Sequence, residues 1–219
     1  MDEEPVLKIR KLTIKREDRG EYLRQAENNM HQSIPAELDT LIIGSGHEDP
    51  QGTIDYTIEL FRNELAEHLH IASDHADDYE ETIKKIASDR ELFDLKAEIV
   101  TTKSNESLNA YSDEFVMRLT HIVVKDGDYD KFAHAIKKEI TTAMAEEPGA
   151  KMIIAGSEKS NPNSWYIWEV YTNDKEYENH LKSTHFTEYQ AEVKNLIEKR
   201  DVKVLFRDTL ASQGAIVLD

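Results

Sequence analysis

There is no cysteine among the 219 residues, which removes disulfides, a thiolate nucleophile and any metal or cluster held by sulfur. Long apolar runs are missing too; nothing approaches the ~20 residues a membrane helix needs. Positive charge is scarce. Against 44 Asp+Glu stand 27 Lys+Arg, a net charge of −17, which disfavours a nucleic-acid backbone or an anionic membrane as partner. No glycine-rich dinucleotide fingerprint is present. The opening MDEEPVLKIR is acidic and carries no signal-peptide apolar core, so the expectation is a soluble, cytoplasmic protein. Tryptophan occurs twice, as Trp165 and Trp168, and that stretch organises the chain.

Residues 163–189 read NSWYIWEVYTNDKEYENHLKSTHFTEY, and residues 53–79 read TIDYTIELFRNELAEHLHIASDHADDY. At an offset of 110, Tyr56 meets Tyr166, Glu59 meets Glu169, Asn63 meets Asn173, His70 meets His180, Ser73 meets Ser183, His75 meets His185 and Tyr79 meets Tyr189. Over 6–90 and 116–200 there are 16 identities in 85 ungapped pairs. Many other pairs exchange one apolar residue for another. This is an internal duplication. Two copies account for nearly the whole chain: 1–100, a polar linker over 101–113, and 114–219.

Alternation over 6–14 predicts a strand. Leu23, Ala26, Met30 and Ile34 predict a helix that Pro35 should end. Short strands are predicted over 41–43 and 54–61, then a short helix over 63–71. Ser73 or Asp74 can cap the next helix, whose inner face carries Ala76, Tyr79, Ile83 and Ile86. A last strand is predicted over 92–100. The second copy repeats the order: strands over 115–124, 152–155, 165–171 and 202–206, a turn at 161–163, and a helix with an inner face from Phe186 to Ile197. Each copy therefore reads βαββαβ, the split βαβ plan of a ferredoxin-like fold. In 165–171 both alternating faces are apolar apart from Glu169. A half-solvated sheet should show one polar face, so the expected fold is α+β: two ferredoxin-like units in tandem, their sheets packed face to face as a dimeric α+β barrel within one chain.

The pattern Tyr166-x-Trp168-Glu169-x-Tyr171, then an acidic short helix, then His180-Leu181-Lys182-Ser183-Thr184-His185-Phe186-x-x-Tyr189, resembles the antibiotic biosynthesis monooxygenase family. That family includes quinol monooxygenases and autoinducer-degrading isomerases. Its members are usually single-domain homodimers, so this chain resembles such a dimer fused in tandem, an intrachain pseudo-dimer with which a further homo-oligomer is compatible. The resemblance implies oxidation of a small phenolic or quinol-like compound without metal or flavin. It makes His180 and His185 base candidates, Tyr189 and Tyr166 hydrogen-bond donors, and Trp168, Tyr171 and Phe186 the aromatic wall. His185 and Tyr189, four apart, share one side of a helix. Haem-degrading relatives are disfavoured, because their residues are replaced by His180, Gln190 and Met117 in one copy and His70, Glu80 and Leu7 in the other.

Aromatic strands are more often core than pocket, and a histidine at a helix break often serves the break. Glu59 and Glu169 are most simply carboxylates paired to an arginine or a helix N-terminus. His68, His70 and His75 are badly spaced for a metal on one helix, His68 and His70 pointing ~200° apart. The expected function is a cofactor-independent monooxygenase. The alternatives are an isomerase of a small carbonyl compound and a non-catalytic binding or stress-related module. The copies should be unequal. Trp165, Trp168 and Phe186 stand against Asp55, Ile58 and Ala76, and the first 109 residues carry a net −12 against −5 for the rest. The second copy is therefore expected to carry the activity.

Overall fold

The computed structural model describes residues 4–103 and 114–219. The chain is α+β, with β1 (Val6–Ile14), α1 (Arg19–Ala36), β2 (Thr40–His47), β3 (Ile54–Phe61), α2 (Glu64–Ile71), α3 (Asp74–Ile86) and β4 (Ala87–Thr102) in the first copy. The second has β5 (Val116–Val124), α4 (Tyr129–Glu146), β6 (Ala150–Glu158), β7 (Asn161–Tyr171), α5 (Asp174–Lys182), α6 (Thr184–Val193) and β8 (Ile197–Ser212), followed by β9 (Val217–Leu218). Both copies thus have the ferredoxin-like order. Of the expected linker, Thr101 and Thr102 belong to β4, and 104–113 lie outside the described residues. No helix among the described residues is long and apolar enough to cross a membrane.

Two compact units are present, and they do not coincide with the repeats. The first contains the chain up to Leu95 together with Leu205–Gln213. The second contains Glu114–Val204 with the end of β4 and Gly214–Asp219. Each unit therefore includes part of the other repeat's last strand. In the first unit the strands run β4-β1-β3-β2-β8, with β2 antiparallel to β8 from Ile42↔Ser212 to His47↔Phe206. In the second they run β8-β5-β7-β6-β4, with β9 beyond β4. The sequence predicts β4 and β8 as shorter strands. Their opening halves are largely solvent-exposed and mostly polar, and the apolar residues there, such as Leu92, Val202 and Val204, are themselves exposed, so composition marks only part of each strand.

Several local expectations shift for identifiable reasons. Pro35 sits in the last turn of α1, which ends one residue beyond it. The turn expected at 161–163 belongs to β7, because Glu158 pairs with Asn161 and moves the hairpin tip to 159–160. The last helix stops at Val193, and Ile197 opens β8. In the first copy, Asp49–Gly52 is a turn closed by Gly52 N–H donating to Asp49 O at 2.9 Å. Gly52 has φ +65°, and a Cβ there would meet the Arg19 guanidinium at 2.3 Å, so only glycine fits.

In the second unit one sheet face packs on α4 and α6. Ile122, Ile153, Trp165, Ile167 and Tyr171 meet Phe132, Ile136, Ile140, Phe186, Tyr189 and Val193. Trp165 is fully buried and takes Phe132 edge-on, at 5.0 Å between centroids and 72° between planes. Such aromatic pairs add ~0.5–1.5 kcal/mol beyond burial. The counterpart core in the first unit is smaller: Leu12, Ile14, Tyr22, Ala26, Tyr79 and Ile83. Asp55 and Thr57 occupy the strand positions that Trp165 and Ile167 hold in the second copy.

Candidate active site

In each copy a helix break builds the site. Asn63 and Asn173 cap the short helices by accepting from Ala66 N–H at 2.9 Å and Glu176 N–H at 3.0 Å. Ser73 and Ser183 sit at the breaks. Their hydroxyls accept from Ala76 N–H at 3.3 Å and Phe186 N–H at 3.2 Å, satisfying a donor that a helix start leaves open. A residue in the last turn of one helix and one in the first turn of the next are thereby brought side by side. The His180 and His185 rings are 5.9 Å apart, and His70 and His75 are 5.8 Å apart.

A glutamate from just beyond the long helix holds each pair. Glu147 lies 3.0 Å and 3.1 Å from His180 Nδ1 and 2.9 Å from His185 Nε2. On its other side His185 Nδ1 meets Glu139 Oε1 at 2.9 Å. In the first copy Glu37 takes His70 Nδ1 at 2.9 Å and His75 Nε2 at 2.8 Å, and it accepts from Thr40 Oγ1 at 2.6 Å. Asn29 stands where Glu139 is. Sequence reasoning missed these glutamates. The signal existed, since residues 37 and 147 are both Glu at the 110 offset, but they lie outside the aromatic strand and the helix pair that draw attention.

The networks fix protonation. Burial works against a charged His180, but the Glu147 hydrogen bond and the carboxylates of Glu169, Glu139 and Glu147 outweigh it, so its pKa lies above the usual histidine value. Burial raises the Glu139 carboxyl. Burial also pushes Glu37 upwards, yet the hydrogen bonds from Thr40, His70 and His75 prevail and hold it below the ordinary carboxylate range. Tyr79 and Tyr189 are both pushed well up, first by burial. Glu59 is ion-paired to Arg10, as expected for a strand carboxylate. Glu169 has no such arginine among the described residues. It accepts from Tyr171 OH at 3.1 Å and Thr120 Oγ1 at 3.5 Å, while Arg118, opposite it in register, turns to Asp174 at 2.5 Å.

The structure brings five of the seven expected site residues together. His180, His185, Tyr189, Tyr171 and Phe186 lie on the helix-covered side. Tyr166 and Trp168 do not join them. With a side-chain period of two, they share the opposite face of β7 from Trp165, Ile167, Glu169 and Tyr171. There Tyr166 stacks on His121 at 4.6 Å, and Trp168 is fully buried with its indole N–H unpartnered among the described residues.

The two copies differ most in the space around their histidines. In the second copy Thr120, Glu169, His180, Phe186, Tyr189 and Arg200 line a cavity of about 20 Å³, room for about one water. The Tyr189 hydroxyl is buried there without a hydrogen-bond partner among the described residues. In the first copy Arg10, Glu59, His70, Ala76, Tyr79 and Arg90 line a cavity of about 430 Å³, within the range of small-molecule sites. Ile71 and Leu92, both more than half exposed, also line it. The aromatic side chain expected to wall a pocket in the second copy instead fills it.

Two groups of side chains among the described residues bring ligand atoms within 4.8 Å of one another: Glu37, His70 and His75, and His47, Asp55 and Asp208. In the first, each histidine nitrogen already shares a proton with Glu37, which a cation would have to displace. In the second the cation position is taken by Arg19, whose guanidinium lies 2.6 Å from Asp208, 3.1 Å from Asp55 and 2.8 Å from His47 Nδ1. His68 is exposed and joins neither.

Fold and site together define a duplicated ferredoxin-like protein with a His–Glu–His cluster in each copy. Residues 115–192 match the antibiotic biosynthesis monooxygenase family model. The chain is 54% identical to a "putative monooxygenase" from Lactobacillus acidophilus NCFM, covering 99% of this chain and 100% of that one with a TM-score of 0.93. The chain belongs to the antibiotic biosynthesis monooxygenase family, as a tandem duplication of its domain. It is also similar in fold to a "putative monooxygenase" from Fusobacterium nucleatum subsp. nucleatum ATCC 25586, at 21% identity and TM-score 0.91 over 100% of this chain and 99% of that one. At 9% identity and TM-score 0.56 it shares its fold with an anthrone oxidase-like protein, over 95% and 93% of the two chains. No curated protein matches the sequence.

Proposed function

We propose that the chain is a monooxygenase acting on a small aromatic or quinol-like compound, and that the reaction takes place in the first copy's cavity. The observation that carries this reading is the cavity of about 430 Å³ lined by His70, Tyr79, Arg10 and Arg90. Its chemistry is that of a phenol. When Nδ1–H is donated to Glu37, His70 presents Nε2 as the acceptor, and that nitrogen takes the substrate's hydroxyl proton. A phenolate carrying further electron-releasing groups, as a quinol does, is electron-rich enough to reduce dioxygen itself. Tyr79 and the guanidinium groups of Arg10 and Arg90, which are already paired with Glu59 and Glu80, are the donors nearest the anion. One oxygen atom becomes a carbonyl on a ring carbon that gives up its hydrogen, the phenol oxygen becomes the second carbonyl, and the other oxygen atom leaves as water with that ring hydrogen and the hydroxyl hydrogen, so phenol and O2 give quinone and H2O with no outside reductant. The roles expected of His180 and Tyr189 pass to the same positions of the first copy, His70 and Tyr79.

A second reading draws on the same cluster. Two histidines sharing one carboxylate, as His70 and His75 share Glu37, suit proton transfer on a small carbonyl compound, that is, an isomerase. An oxygen electrode separates the two. With phenols and naphthols in chelator-treated buffer, the monooxygenase reading predicts stoichiometric O2 uptake and a quinone product. Turnover of a carbonyl compound with no O2 uptake would replace it with the isomerase.

A further inference from the structure

The second copy indicates what the first copy's cavity is shaped to hold. Each of six lining residues of the larger cavity has its 110-offset partner lining the smaller: Arg10 and Thr120, Glu59 and Glu169, His70 and His180, Ala76 and Phe186, Tyr79 and Tyr189, Arg90 and Arg200. The two voids therefore overlap in place, the larger one extending outwards past Ile71, Asp77, Glu80, Lys84 and Leu92. One of these exchanges adds bulk in the second copy, Ala76 to Phe186, while Arg10 to Thr120 removes it. The Phe186 ring lies 4.4 Å from the His180 ring and 5.8 Å from the Tyr189 ring, with Arg200 Cζ 5.7 Å from its centroid. A benzene ring thus sits within the histidine–tyrosine–arginine enclosure whose counterpart, His70, Tyr79 and Arg90, surrounds the large cavity of the first copy.

We infer that Phe186 is a built-in occupant of the second site, and that the first site takes a free single-ring aromatic compound in the same place. Residue 76 or 186 decides, copy by copy, whether a ligand is admitted. The contacts suit such a ring: tilted packing against imidazole and phenol rings, a guanidinium near its π-face, and Arg10 with its Glu59 partner near the polar end. The exposed apolar side chains of Ile71 and Leu92 give the ring an apolar rim to cross. The inference deepens the proposed function and rests on the same cavity. Its test is binding, not turnover.

The probe is phenol, titrated under argon and followed by calorimetry and by NMR of the histidine ring protons. The unmodified chain should bind one phenol. Ala76→Phe, which supplies the missing ring covalently, should bind phenol at least 10-fold more weakly. Phe186→Ala should bind a second equivalent. Undiminished binding to Ala76→Phe overturns the inference, and so does failure of the unmodified chain to bind phenol. A folded Phe186→Ala that still binds a single equivalent also overturns it. Where either variant does not fold, Ala76→Leu and Phe186→Leu test the same two sites with smaller changes in volume. Phenol bound as expected while quinols are never oxidised by the protein in air would leave the inference standing and remove the monooxygenase.

Discussion

The two copies share a histidine pair, a carboxylate and a tyrosine, yet they have spent one volume differently. Around His180 the space is occupied by Phe186 and by isoleucines from α4, β6 and β7, and what remains is about 20 Å³. Around His70 about 430 Å³ stays open, with more charge and less apolar packing. The comparison separates two properties that a motif merges. Chemical groups can be duplicated faithfully while only one duplicate keeps room for a substrate. The richer aromatic content of the second copy, taken from the sequence alone as a pocket wall, is packing.

The largest expected effect contrasts Phe186→Ala with Ala76→Phe. The first empties a filled core and should cost about 3–4 kcal/mol. The second fills existing space and should stay within about 1 kcal/mol, both by urea denaturation. Equal costs would mean that the first copy's space is not available to a ring.

Next in size is the Glu147 network. Glu147→Gln should cost about 2 kcal/mol near pH 6 by leaving the buried His180 imidazolium without its carboxylate. The sign follows from the raised pKa of His180. The stabilisation is fully present below the unfolded value of about 6.5 and is lost as pH rises through the folded pKa. The penalty should therefore shrink towards pH 9. A penalty that grew with pH would contradict the charged-histidine reading.

A smaller effect separates the copies at Asp55, whose counterpart is Trp165. Burial first, and then the neighbouring Asp208, push Asp55 up to about 8, against the pull of Arg19. Its Oδ2 lacks a partner among the described residues, as a protonated oxygen can. The native state therefore holds a proton that the unfolded chain releases near 3.9, and this group's contribution to stability falls as pH rises from about 4 to about 8. Asp55→Asn removes that fall, so relative to the parent it should gain on the order of 1 kcal/mol at pH 8 over pH 5. A parallel pH profile for the two proteins would sink this assignment. Least of all should change with Leu69→Asn, which copies Asn179 of the second repeat. Leu69 is 63% exposed, and the change should stay within about 0.5 kcal/mol.

Much of the fold was legible because duplication wrote it twice. The offset that pairs His70 with His180 and Ser73 with Ser183 marks the helix break, and Asn63 and Asn173 mark the caps. What stayed hidden has physical causes. The opening halves of β4 and β8 are exposed and mostly polar, so only their later parts read as strand. Their assignment to units across the repeat boundary depends on backbone pairing, which leaves no mark on composition. The histidines, Tyr189, Tyr171 and Phe186 of the motif lie together on the helix-covered side of β7. Tyr166 and Trp168 were misjoined to them because period two sends alternate residues of β7 to opposite faces. Whether Phe186 lined a space or filled it depends on three-dimensional volume, which no spacing encodes.

The most direct test of the account is oxygen uptake by two double variants on one phenolic substrate: His70→Ala with His75→Ala, and His180→Ala with His185→Ala. Both must be folded by circular dichroism. The first should lose turnover by at least 100-fold, in the range typical of a removed general base, while the second keeps most of it. If the second pair loses as much as the first, or more, the activity does not belong to the first copy's cavity.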